Sequence, residues 1–134
     1  MKFRKWIKGT VLAIAVITSL TFSLSFFPHK VISIESENVS KITIFDGNTG
    51  EEMEITDKKA MNPIIHNLNS ITFQKGKPSF GYMGYSFRTT IYSESGKVLE
   101  SLIINSSDTI RFNGFFYRAV EGVIDYEYIE EIVK

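Results

Sequence analysis

Cysteine is absent from all 134 residues. Its absence excludes disulfides, a thiolate nucleophile, cysteine-ligated zinc, and lipid attachment through an N-terminal cysteine. Histidine is nearly as scarce. His29 and His66 stand far apart, whereas a zinc site needs three or four converging ligands. No serine occupies a G-x-S-x-G elbow, so a Ser-His-Asp triad has only His66 to build on, and a solvent-facing helical histidine is the simpler reading. Internal repeats and low-complexity segments are lacking as well. No cofactor is expected.

Acidic residues are missing from the first 28 positions, which hold Lys2, Arg4, Lys5 and Lys8. The rest of the chain carries eleven basic against fifteen acidic residues, a formal net charge of −4. Overall neutrality thus arises from a basic leader joined to an acidic body. Nucleic acid is an improbable partner for such a body, because displacing counterions from phosphates takes clustered Lys and Arg.

What the leader does have is a run of seventeen uncharged residues, Val11 to Phe27 (VLAIAVITSLTFSLSFF). Basic residues ahead of an apolar run form the positive-inside pattern, in which the lysines stay in the cytoplasm and the following chain crosses. Seventeen lies at the short end of the roughly 17–25 residues that span a bilayer. Trp6 and Thr10 extend the helix to the interface, and its hydroxyls are tolerable because they bond back to helix carbonyls. Two readings follow: a retained signal-anchor, or a signal peptide cut near Ser23 and Ser25, where no A-x-A pattern stands. A buried helix of a soluble domain fits poorly, since no polar face exists. The expected organisation is residues 1–28 as anchor or signal, 29–40 as linker or edge strand, and 41–134 as an extracytoplasmic domain. Residues 6–27 would meet the cytoplasmic membrane of a bacterial cell. The domain would face outward, or be secreted after cleavage.

Past the leader, Ile42 and Ile44 alternate with polar residues, as do Met53 and Ile55, and Asp46-Gly47-Asn48-Thr49-Gly50 supplies turn chemistry between them. This spacing predicts a hairpin. Thr56-Asp57 offers an N-cap oxygen to a helix over about Lys58–Asn69, with Ala60, Met61, Ile64, Ile65 and Leu68 as its apolar stripe. Pro63 predicts an irregular first turn, and Asn67 and Asn69 suit its end. Strands are expected from Ile71 to Phe73, Tyr82 to Tyr92, Val98 to Ile104, Ile110 to Phe112 and Phe115 to Ala119, with Asn113-Gly114 as a hairpin turn. A last helix, capped by Asp125, places Tyr126, Ile129, Ile132 and Val133 on one face. The fold class is α+β: an N-terminal transmembrane or signal helix, then an antiparallel meander sheet with two helices packed on it.

Two constellations carry any chemistry. Glu127, Glu130 and Glu131 cluster on the last helix, and a pair such as Glu127 and Glu131 offers acid and base roles for a small envelope hydrolase. A solvated helix face explains the same run. The aromatics stand further above background. Phe80, Tyr82 and Tyr85 flank two glycines, and Phe116 lies on a neighbouring hairpin. Beside Arg88 and Arg118 they would form a partner-binding surface, since Tyr and Arg are enriched where proteins meet. Packing beneath the helices is the plainer alternative.

Several of these stretches together carry a resemblance: KITIFDGNTG, ITDKKAMNPIIHNLNSI, GYMGYSF, IYSESGKVLESLIIN and IRFNGFFYRAVEGVIDYEYIEEIV. From Lys41 to Val133 the chain resembles a loose group of small exported domains of unknown function from Gram-positive bacteria. That group looks like a hairpin, an ITDK-type helix start, a GY-containing strand, and a closing N-G-x-x-Y hairpin and helix. The resemblance implies anchoring and fold class, and assigns no functional residue. Taken together, the expectation is a non-catalytic, membrane-tethered binding or inhibitory module whose partner is an envelope protein or cell-wall component. The other readings are the carboxylate hydrolase and a structural subunit of a membrane complex.

Overall fold

The computed structural model describes every residue of the chain except Tyr85. The fold is α+β. Helix α1 (Lys2–Leu24) comes first and buries none of its residues. At about 1.5 Å per residue its 23 residues reach roughly 34 Å, against about 30 Å of bilayer hydrocarbon. It is long and apolar enough to cross a membrane or to be a signal sequence. Its hydroxyls turn inward as the sequence suggests: Thr18 Oγ1 donates to Ile14 O and Thr21 Oγ1 to Ile17 O, both at 2.8 Å.

Seven antiparallel strands follow: β1 (Val39–Asp46), β2 (Glu52–Ile55), β3 (Thr72–Pro78), β4 (Phe87–Ser93), β5 (Val98–Ile104), β6 (Thr109–Phe112) and β7 (Phe115–Glu121). They lie in one sheet of order β2-β1-β4-β5-β6-β7-β3. Only β4 to β7 form a simple meander. The β1–β2 hairpin closes one edge and β3 the other. Period-two alternation sends Ile42, Ile44, Phe87, Ile91, Leu102, Ile104, Ile110 and Tyr117 to one face, where all are buried. Helices α2 (Lys58–Ser70) and α3 (Tyr126–Val133) complete that core with Met61, Ile64, Ile65 and Leu68, and with Ile129 and Val133. At the β6–β7 turn Asn113 and Gly114 both take positive φ, 48° and 82°, the left-handed pair a two-residue hairpin needs.

Helix α2 starts as its sequence predicts. The Asp57 carboxylate accepts from Lys59 N at 3.2 Å, and Ala60 N and Met61 N share the Asp57 carbonyl, which makes the first turn irregular ahead of Pro63. Its end falls at Ser70, beside the expected Asn69, and the two asparagines there do more than terminate it. Asn67 and Asn69 are clamps: Asn69 Oδ1 accepts from Ile34 N at 2.9 Å while its Nδ2 donates to Ile34 O at 2.7 Å. Asn67 holds the loop before α3 the same way, through Val123 O and Asp125 N, both at 2.9 Å. The helix's last carbonyls receive the Lys30 ammonium, 2.8 Å from Ser70 O.

Of the two expectations for residues 29–40, linker or edge strand, the packing of the segment against the domain favours the second. Ile32, Ile34 and Val39 are buried, His29 bridges Phe73 of β3, and β1 begins at Val39. Short apolar side chains in a polar segment (VISIESENV) gave that stretch its linker appearance. One expectation needs correction: no strand starts at Tyr82. β4 begins at Phe87, and the preceding residues cross the sheet, with Gly81 at φ 79° and Gly84 at φ 84°. Two left-handed backbone positions break the extended run that the aromatic alternation mimics.

The Asn69 clamp satisfies both backbone groups of a buried residue, so losing it leaves an orphaned donor and acceptor. Replacing Asn69→Ala should lower unfolding free energy by roughly 1–3 kcal/mol, read from urea midpoints. The same change at exposed Asn48 should shift the midpoint little.

Candidate binding surface on the open sheet face

Burial of one face leaves the other unoccupied by helices. Strand register assembles a row there: Phe45 of β1 opposes Arg88 of β4, Arg88 opposes Ile103 of β5, Ile103 opposes Arg111 of β6, and Arg111 opposes Phe116 of β7. Neighbouring strands are about 4.8 Å apart, so the five side chains span roughly 19 Å. Each arginine stacks on an aromatic neighbour. The Arg88 guanidinium carbon lies 5.8 Å from the Phe45 ring centre, and that of Arg111 lies 5.1 Å from the Phe116 ring.

The connection from Pro78 to Phe87 runs across this face because it must pass β7, β6 and β5 to reach β4. Arg111 catches it. One guanidinium nitrogen donates to Tyr82 O at 3.1 Å and the other to Gly84 O. The Tyr82 ring meets Phe116 edge-on at 5.1 Å, and the Lys77 ammonium donates to Tyr82 Oη at 2.8 Å. At the start of the crossover Ser79 N donates to Gly114 O at 2.8 Å. At its end Ser86 O accepts from Gly47 N at 2.8 Å, which fixes both ends to turns of the sheet.

Of the residues expected to form a partner surface, Arg88, Phe116 and Arg118 project from the open face, and Tyr82 packs over it. Phe80 sits at the margin, 78% exposed, with its ring against Gly114. Tyr85 lies outside the described residues. Sequence reading missed Arg111, Lys77 and Phe45. The signal for Arg111 was present: a two-residue Asn-Gly turn sets Arg111 opposite Phe116, on the face away from Ile110 and Phe112.

Charge on this face is lopsided. Lys77, Arg111 and Arg118 occupy the β3, β6 and β7 side and Arg88 stands on β4, with Asp108 Oδ2 3.6 Å from Arg118 Nε. Glu52 and Glu54 stand on the far edge strand β2, with Glu54 3.5 Å from Lys41. An acidic body therefore carries a local basic and aromatic strip. A shallow open depression between Arg88, Ser101, Arg111 and Asn113 lies within it.

Glu127 and Glu131 are both exposed, and only Glu127 borders the depression formed with Asn67, Ser107 and Tyr126. Among the described residues no group of three or more potential ligands converges for a metal ion. Compared with protein-family models, with curated proteins and with solved structures, the chain matches none.

Two carboxyls elsewhere have displaced pKa values of opposite sign. Hydrogen bonds from Ser106 and Thr109, each 2.8 Å, hold Asp108 below the usual carboxylate range, and Arg118 adds to this. Partial burial pushes Glu100 up, against a backbone hydrogen bond from Ser101. Asp108 therefore contributes stability above its unfolded pKa of about 3.9, and that contribution disappears as pH falls through its lower folded value. Ionised Glu100 opposes folding at neutral pH, and acidification removes the opposition. Urea titrations across pH should show Asp108→Asn less stable than the parent at pH 7, with the gap closing below about pH 4. Glu100→Gln should be the more stable at pH 7, its advantage fading at higher pH than the Asp108 effect, as pH falls through the raised folded value of Glu100 toward about 4.3. Both effects are small, because water screens half-exposed groups.

Proposed function

We propose that this chain is a single-pass, membrane-tethered binding module whose domain faces outward from the cytoplasmic membrane of a bacterial cell. The open sheet face would be its partner surface. The basic residues in the first turns of α1 (Lys2, Arg4, Lys5 and Lys8) and the uncharged run that follows them support retention in that orientation. The observation that carries the binding reading is the cross-strand row Phe45–Arg88–Ile103–Arg111–Phe116, an apolar centre flanked by arginines stacked on phenylalanines. Arginine beside an aromatic ring favours carboxylate partners, being weakly hydrated; with the Arg111 fork committed to the crossover carbonyls, Arg88 and Arg118 carry the charge complementarity. The partner that fits is an acidic segment of an envelope protein that also brings an apolar side chain to Ile103.

A binding module needs no assembled nucleophile, and this surface is built from groups that hold rather than react. The domain would block or recruit its partner by occupying the partner's acidic segment.

Affinity capture from envelope extracts with the full chain tests this reading. Recovery of a partner should fall at least tenfold for an Arg88→Glu, Arg118→Glu double variant, and stay unchanged for a Glu127→Gln, Glu131→Gln variant, with all three proteins showing the parent's thermal unfolding. Equal recovery by the arginine variant would remove the open face from the account. Intact mass of the membrane-fraction protein should equal that of the uncut chain.

A further inference from the structure

Helix α1 and the domain meet around Lys75. The Lys75 ammonium lies 4.2 Å from the Phe115 ring centre, 5.1 Å from Phe22 and 5.3 Å from Phe26, and donates to Ser25 Oγ at 3.1 Å. Phe22 also approaches Phe115, ring centre to ring centre, at 6.4 Å. The last turn of α1 therefore rests against the β6–β7 hairpin tip, and none of the helix before it is buried. If α1 spans a bilayer, the outer lipid boundary falls beside that tip.

Phe80 is part of the same tip. Pro78 pairs with Phe115, and Ser79 N is bonded to Gly114 O. The Phe80 ring lies so close over Gly114 that a Cβ there would meet its Cζ at 3.0 Å. With its ring against Gly114 of the hairpin, Phe80 stays 78% exposed. Phe27, just past α1, is 66% exposed at the helix end. Lys77, on the same stretch of β3, directs its ammonium to Tyr82 Oη at 2.8 Å, two residues from Phe80. Aromatic rings beside a cation match the headgroup–acyl boundary, where amphipathic and aromatic side chains concentrate.

We propose that Phe80 enters the outer headgroup–acyl boundary of the membrane that α1 spans, with Lys77 at phosphate level. This seats the domain on the lipid surface in a fixed orientation and leaves the open sheet face pointing sideways along the membrane. The inference rests on α1 being a retained membrane span.

The test uses the full chain reconstituted in phosphatidylcholine–phosphatidylglycerol vesicles. Trp6 is the sole tryptophan, so a Trp6→Phe background permits one reporter at a time. The Phe80→Trp reporter should show blue-shifted emission and at least threefold stronger quenching by shallow brominated lipids than a Val123→Trp reporter. Val123 is an equally solvent-facing apolar site, 66% exposed, beyond the opposite end of β7. Flotation of the vesicles reports on α1 separately. Protein that co-floats after alkaline washing while Phe80→Trp is quenched no more than Val123→Trp overturns the seating and leaves the anchor intact. Protein that fails to co-float overturns both. Adding Lys77→Glu should weaken the Phe80→Trp quenching in the anionic vesicles; unchanged quenching would remove lysine from the contact.

Discussion

A strand order of β2-β1-β4-β5-β6-β7-β3 obliges the chain to travel from one edge of the sheet back over three strands, and the carbonyls along that path need donors. The Arg111 guanidinium supplies two of them, to Tyr82 and Gly84. Hydrogen bonds from a charged donor contribute about 1.5–3 kcal/mol each, with partial hydration placing these toward the lower end. Everything on the open face is arranged around that contact. Tyr82 reaches Phe116 because the crossover is held there, Lys77 reaches Tyr82 for the same reason, and Phe80 is fixed over the hairpin tip.

The division of the sheet into a packed and an open face follows from side-chain alternation, and it separates two jobs. The packed face, with α2 and α3, supplies stability through aliphatic burial. Two asparagine clamps at the end of α2 join the leading segment and the loop before α3 to the same core. The open face can then hold arginine and phenylalanine at positions that add little to the core. Domain and leading helix meet through the final turn of α1 and the rings around Lys75.

Much of the architecture was legible because it follows from short-range rules. Alternation gave the β1–β2 hairpin and strands β5 to β7. Asp57 and Asp125 marked the helix starts, and Asn113-Gly114 marked its turn. The errors share one cause, in that long-range partners are invisible locally. Tyr82 and its neighbours alternate like a strand, yet they cross the sheet because Arg111, 27 to 29 residues later, binds their carbonyls. Linker and edge strand stayed equally open for residues 29–40 because the amide that pairs Ile34 belongs to Asn69, 35 residues away. The surface residues Arg88, Phe116 and Arg118 were found from residue type alone, whereas Arg111 and Phe45 required register.

Limited chymotryptic digestion of an Arg111→Ala variant tests the central role of the guanidinium most directly. Cleavage between Pro78 and Phe87, located by mass spectrometry, should accelerate more than tenfold over the parent while the core's thermal unfolding moves by only a few degrees. A crossover that is cut no faster without Arg111 would contradict the account.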